Sequence, residues 1–235
     1  MLKVGIMQPY LFPYIGYFQL INTVDEFIIY DNIQFTKKGW INRNRILVNG
    51  VDAYITLPLK KDSDYLDVKD RYLTDDWNTE RNKMVNKIAE SYRKAPQFSI
   101  VFPLIEMILM YSGKNLFDFI LNSLKQINHF LDINTPLIIS SSVDINHELK
   151  AEKKVIALCK ARQANTYINP IGGVELYSKD GFKNKGLDLQ FLKANNITYT
   201  QFKNEFVPFL SIIDVMMFNS KEEVRQFVNS SFTLQ

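Results

Sequence analysis

The stretch VGIMQPYLFPYIGYFQLI, residues 4–21, passes from a buried strand through a stiff loop into a helix. In an α/β protein that junction is where a ligand is held. Val4, Gly5, Ile6 and Met7 form a short apolar run, which Gln8 ends with a side chain able both to donate and to accept hydrogen bonds. Pro9 and Pro13 cannot donate to a ladder and push the residues before them toward extended backbone, so the loop is rigid. Gly16 lets backbone come close to a ligand, and Tyr14 and Tyr17, three apart, share a face of the opening helical turn. A helix N-terminus there favours an anion.

Working outward, YFQLINTVD continues the helix, and EFIIYDN reads as a second buried strand ending at Asp31 and Asn32. Strand, helix and strand within roughly 30 residues make a βαβ unit, which predicts parallel pairing with a right-handed crossover. Its two ligand-side loops then begin at Gln8 and Asp31. The segment INRNRILVNGVDAYITLPL turns at Asn49-Gly50, which predicts a hairpin of strands 42–48 and 52–57. A polar, Asp-rich connector over 61–79 should be exposed. Residues 78–133 carry helical periodicity and read as a helical insert or small lobe within one α/β domain spanning 1–235. Alternation resumes with a strand at 136–142, a helix over 147–164, the strand TYINP, short strands LDLQFL and ITYTQF, and two closing helices. The fold class predicted is α/β, a Rossmann-like and mostly parallel sheet with a helical insert and a β-hairpin.

Composition narrows the class of protein. An apolar share of 46% and a charged share of 23% are those of a globular chain able to bury a large core. The net charge of +3 is spread among acidic residues, so it permits a nucleic-acid partner without demanding one. Seventeen Phe and twelve Tyr are mostly core, with a minority left to line a pocket. Cys159, the only cysteine, excludes an intrachain disulfide and a cysteine zinc site, and its place on the apolar side of a helix marks a buried structural thiol. The N-terminus fits no secretory signal, and IVFPLIEMILMY is too short for a bilayer and contains Glu106 and Pro103, which predicts a cytoplasmic protein.

A second cluster, Lys37, Lys38, Trp40, Asn42, Arg43, Asn44 and Arg45, alternates cationic and amide side chains beside an indole. Arginine forks grip phosphate and an indole face stacks on a ring, so the run suits an anionic, planar or sugar-bearing ligand. On a strand, Asn42 and Asn44 share one face and Arg43 and Arg45 the other, so only one set can face a pocket. Ser141, at the end of a predicted strand, and Asn169, Gly172 and Gly173, after another, fall on the same carboxyl edge if those strands are parallel. Gln201 and Ser211 add polar groups near the end of the chain, with Ser211 placed as an N-cap or pocket hydroxyl and Asp214 as its capping partner. His129 and His147 show no metal-ligand pattern and read as structural, and no Walker loop, G-x-G-x-x-G, G-x-S-x-G or H-E-x-x-H is present.

QPYLFPYIGYFQLI with DNIQFTKKGWINRNRI, YINPIGGVELYSKDGF (167–182) and FVPFLSIIDVMMFN (206–219) together resemble the WbqC-like family from residue 3 to about residue 219. Members of that family are associated with bacterial surface-polysaccharide (O-antigen) gene clusters, and some are described as glycine transferases. Tyr14-Ile15-Gly16-Tyr17 also has the spacing and context of the H-x-G-H signature of pantothenate synthetase-type nucleotidyltransferases, and DNIQF, with Gln34, is similar to their VNPxQF. Both histidines are tyrosines here, neutral near pH 7, so nucleotide binding could be kept through backbone N–H groups while adenylyl transfer loses its cationic contacts.

These resemblances imply a transferase or ligase joining a small carboxylate, such as glycine, to the amino group of a nucleotide-linked sugar. In that reading Asp31 is the general base, with Lys38 and Arg43 beside it as catalytic candidates. Gln8, Pro9, Tyr10, Tyr14, Gly16, Tyr17 and Asn32 form the first binding loop pair, with Trp40, Asn42, Asn44 and Arg45 next to it. ATP and Mg²⁺ are needed if the acyl group is activated here, and neither is if an activated donor arrives preformed. The alternatives are a nucleotide-sugar-binding protein without catalysis, and a transferase that takes its acyl group from aminoacyl-tRNA through the basic 37–45 segment.

Overall fold

The structure, a computed structural model, describes residues 1–203 and 205–235. Strand β1 (Lys3–Met7), helix α1 (Ile15–Thr23) and strand β2 (Glu26–Ile29) form the βαβ unit predicted, with β1 and β2 parallel and Gly5 opposite Phe27. Gly5 is required by packing. A Cβ there would lie 3.2 Å from the Phe27 ring and 3.3 Å from Leu20, so its absence lets α1 sit close on the sheet.

A strand β3 (Arg43–Val48) and β4 (Val51–Thr56) follow as a separate antiparallel hairpin, turning through Asn49 and Gly50, both at positive φ. Asn and Gly tolerate that backbone, and the resulting turn has the twist of the strands it joins. Three helices come next, α2 (Trp77–Tyr92), α3 (Phe98–Leu109) and α4 (Leu116–Phe130), and their apolar faces share one hydrophobic cluster with α1 and β2. The chain then returns to the sheet through β5 (Leu137–Ile139), α5 (Ala151–Ala161), β6 (Thr166–Pro170), α6 (Lys179–Lys183) and β7 (Asp188–Ala194). It closes with α7 (Ile212–Phe218), α8 (Lys221–Ser230) and β8 (Phe232–Leu234).

The six-stranded sheet has the order β5-β2-β1-β6-β7-β8 and is parallel except for β8. Both faces are covered. Gly5 and Phe27 face α1, whereas Val4, Ile6 and Ile28 pack against Val155, Leu158 and Cys159 of α5 and Phe182 of α6. Because both faces are buried, the strands read as continuous apolar runs rather than alternating ones. β2 lies to one side of β1 and β6 to the other, so the crossover direction reverses at β1, and a crevice opens above its carboxyl end.

Three expectations fail, the first being the exposure of the 61–79 connector, where Val68, Arg71, Leu73 and Trp77 are buried. The segment ITYTQF is not a strand: Tyr199 and Gln201 instead turn inward and donate to the buried carboxylate of Asp214, at 2.7 and 2.6 Å. Pairing on β7 comes from β8, which the sequence reading assigned to no strand. The helix expected from 147 begins four residues later at Ala151, which is held at φ 46°, a left-handed backbone costly for a residue with a Cβ.

Candidate functional site

The carboxyl ends of β1, β2, β5 and β6 open into a cleft of about 1020 Å³ above the switch point. Gln8 and Tyr10 supply its wall from the loop after β1, Asn32 and Gln34 from the loop after β2, and Ser141 from the turn after β5. Asn169, near the end of β6, and Gly172 and Gly173, after it, close it. A Cβ on Gly173 would fall 2.0 Å from the Asn169 amide nitrogen, so this glycine makes room for Asn169, whereas Gly172 meets nothing within 4 Å. The parallel pairing therefore brings together loops that are up to 165 residues apart, as Gln8 and Gly173 are.

The charge of this cleft comes from residues the sequence reading did not assign to it. Lys69, Lys150, Lys154 and His147 line it, and Asp67 is the one carboxylate side chain in the lining among the described residues. Lys154 is only 3% exposed and pairs with no carboxylate among the described residues. Its ammonium donates to the carbonyls of His147, at 3.2 Å, and Asn32, at 3.5 Å, and lies 4.9 Å from the Tyr30 ring centre. Burial, then the nearby Lys150, lowers its pKa, with Asp67 and Asp31 opposing. Lys150 is the N-cap of α5 and gives no side-chain cap, so the first-turn N–H groups of that helix add a fixed positive end beside the two lysines. The strained Ala151 sits in the same lining. Around Tyr30, burial, Tyr177 and Asp67 push the phenol up to about 12, so it stays a neutral donor.

One signal for Lys154 was present in the sequence. The buried positions of α5 are Lys154, Val155, Leu158 and Cys159, a helical stripe with one lysine in it. A charge in an apolar stripe belongs to a site or to an ion pair. His147, expected from the sequence to be structural, instead lines the cleft, and that place depends on the β2 loop reaching it.

Asp31 stands behind this wall. It is 2% exposed, and its two oxygens accept from the Ser141 amide, at 2.8 Å, and the Ser141 hydroxyl, at 2.5 Å. Ser141 itself faces the cleft. Pro9 is buried beside Gln8. Tyr17 is buried too and donates to the Gln8 carbonyl at 2.9 Å, with its ring against Tyr10 and Phe27. Tyr14 points elsewhere, into a second cavity of about 330 Å³ with Tyr199 and Phe209, and Gly16 is pressed between the Tyr14 ring and Ala194. The two tyrosines at the H-x-G-H spacing therefore do not meet in one site.

The remaining residues form two other groups. Asn44 donates to the carbonyls of Leu11 and Phe12, and the Ser211 hydroxyl donates to Phe12 as well. Phe12 has φ 41°, and these donors clamp the loop in that strained shape. Asn42 donates to Leu57, and Gln201 holds Val207 and Asp214. On the outer face of the hairpin, Arg43 lies 4.7 Å over the Tyr54 ring, Tyr54 stacks on Trp40, and Arg45 lies 5.5 Å over Trp40. Arg43 also donates to the carbonyls of Gly39 and Lys38, and Lys38 is exposed. None of Lys38, Trp40, Arg43 and Arg45 lines the large cleft. Cys159 is buried as expected, and burial pushes its thiol up to about 12.

Fold and site define an α/β protein with a cationic cleft at the switch point of a mostly parallel sheet. Residues 8–226 match the WbqC-like protein family, and the chain belongs to it. A 60-residue stretch is 52% identical to an uncharacterized protein of Mycobacterium tuberculosis, and the match covers 26% of each chain, so this curated relative is spanned over about a quarter of its length. No solved structure matches the chain.

Proposed function

We propose that the protein is a transferase or ligase that forms an amide between a small carboxylate, such as glycine, and the amino group of a nucleotide-linked sugar, in the synthesis of bacterial surface polysaccharide. The observation that carries this reading is the cleft itself: among the described residues three lysines and a histidine line it against a single carboxylate, and Lys150 and Ala151 at the uncapped start of α5 belong to the same lining. That balance suits a diphosphate. The aromatic rings of Tyr10, Tyr30 and Tyr177 in the same lining suit the rings of a base or sugar. The cleft is large enough for both halves of a nucleotide sugar.

For the chemistry, the Ser141 hydroxyl is the group that touches the substrate, and Asp31 acts through it. As the amine attacks the acyl carbon, its proton passes to Ser141 Oγ while the hydroxyl proton passes to Asp31, and the acyl leaving group departs with its bonding electrons. ATP is required if the carboxylate is activated on the protein. Among the described residues no three His, Cys, Asp or Glu side chains group so as to hold a metal ion, so Mg²⁺ would enter bound to phosphates rather than to a protein cage.

The test is incubation with glycine and a UDP-linked amino sugar, with and without ATP, and mass analysis of the products. An amide product is expected, reduced about 10²-fold or more by Asp31→Asn and by Ser141→Ala. Nucleotide binding without any amide, with ATP or with a preactivated donor, replaces this reading by that of a binding protein. The partly exposed ladder of Arg43, Tyr54, Trp40 and Arg45 favours a second reading, in which the acyl donor is aminoacyl-tRNA. It predicts tRNA binding that weakens steeply with salt and is lost in an Arg43→Ala/Arg45→Ala variant.

A further inference from the structure

Ser140 is completely buried, and its hydroxyl lies 2.6 Å from Asn32 Oδ1, its hydrogen-bond partner among the described residues. A buried hydroxyl proton needs an acceptor, so the amide oxygen of Asn32 faces Ser140. Turning the amide over would put its NH₂ against Ser140 and leave that proton without a partner. The amide nitrogen must then face the other way, and it lies 2.9 Å from His147 Nδ1. An amide nitrogen can only donate, so Nδ1 must be the acceptor, and a neutral imidazole with a lone pair on Nδ1 carries its proton on Nε2. Nε2 has no hydrogen-bond partner among the described residues, and the ring lines the cleft.

The same two residues also hold Lys154. Its ammonium donates to the main-chain carbonyls of Asn32 and His147. Asn32 and His147 thus orient a neutral donor and a cationic donor at the wall of one cleft. We infer that Asn32 is a positioning residue that fixes His147 as an Nε2–H donor, and that His147 and Lys154 together form a subsite for a group that only accepts hydrogen bonds, a phosphate or a carboxylate. This rests on the anion-binding reading of the cleft and not on amide formation. In this tautomer Nε2 gives a hydrogen bond to the ligand and does not serve as a base.

Long-range ¹H–¹⁵N spectra of the full chain read the tautomer directly, and with two histidines in the sequence a His129→Gln variant assigns the signals. The ligand-free protein should show protonated Nε2 and unprotonated Nδ1 at His147. Asn32→Asp should move the proton to Nδ1, since the introduced carboxylate accepts from it, and Ser140→Ala, which releases the Asn32 amide, should give a mixture of both tautomers. A proton on Nδ1 in the unaltered protein overturns the relay. Titration with inorganic pyrophosphate or with glycine then separates phosphate from carboxylate. The one that occupies the subsite shifts the His147 signals and leaves those of His129 in place, and its affinity falls about tenfold or more in Asn32→Asp, the loss of roughly one charge-assisted hydrogen bond. If neither compound moves the His147 signals, the subsite is overturned while the tautomer stands. If they move and no amide is made in the assay above, the subsite stands and the amide reading falls.

Discussion

At the scale of the residue, Lys154 is a buried ammonium in the cleft wall, kept there at the expense of stability. Its pKa is lowered chiefly by burial, so the folded protein holds this proton less tightly than the unfolded chain. Between the lowered value and the ordinary lysine value near 10.4, stability therefore rises with pH, and at neutral pH the charged group is a cost. Lys154→Met is expected to raise the melting temperature of the ligand-free protein and to abolish the stabilisation by pyrophosphate, both read in one thermal series. A melting temperature that drops, with the pyrophosphate effect intact, removes Lys154 from the site. Residues of this kind were half legible. The lysine in the apolar stripe of α5 was visible in the sequence, and Asn32 was read as a binding-loop residue, but the meeting of Lys154 with Asn32 and His147, themselves 115 positions apart, was not.

Among the elements, the opening loop is the one whose form the sequence announced most clearly and whose supports it concealed. Its prolines predicted rigidity, yet the polar side chains read as ligand contacts, Asn44 and Ser211, are spent on its carbonyls. Leu11 donates its amide to Ile41, Tyr17 closes on Gln8, and Ile212 donates to Pro13, so the loop backbone at Gln8 and over Leu11–Pro13 is held from other elements. Asn44→Ala removes the side-chain donor of the Leu11 carbonyl and leaves the Phe12 carbonyl to Ser211 alone, and is expected to cost about 2 kcal/mol in chemical denaturation. A loss under about 0.5 kcal/mol would show that the clamp is not what shapes the loop. The hairpin was legible to within one residue at each end because Asn49-Gly50 is a local signal. The segment at 197–202 was not, since its alternation is that of a strand while three hydrogen bonds to Asp214 and Val207 decide otherwise.

Over the whole molecule, Asp214 ties distant parts of the core together. Tyr92 of α2 accepts from the Leu47 amide of β3 and donates to Asp214 in α7, while Tyr199 and Gln201 donate to its second oxygen. Burial raises the Asp214 pKa, and the three donors offset this only in part. The folded state thus holds this proton more tightly than the unfolded chain does. Its contribution to stability is full below the unfolded aspartate value near 3.9 and is lost as pH rises through the raised folded value. Urea unfolding from about pH 4 upward should show this decline, and Asp214→Asn should flatten it; an unchanged slope would sink the assignment. The sequence by itself determined the βαβ opening, the hairpin, the three middle helices and the parallel class of the sheet, because periodicity, prolines and Asn-Gly turns act over a few residues. Only the tertiary structure decided where the charge of the site lies. Strand order brings the ends of β1, β2, β5 and β6 to one edge, and α5 then places Lys150 and Lys154 beside Asn32, whereas the arginines nearest to Asp31 in sequence end on the outer face of the hairpin. Local signals fix what each segment becomes. A binding site is a sum over loops that meet only after the sheet has formed.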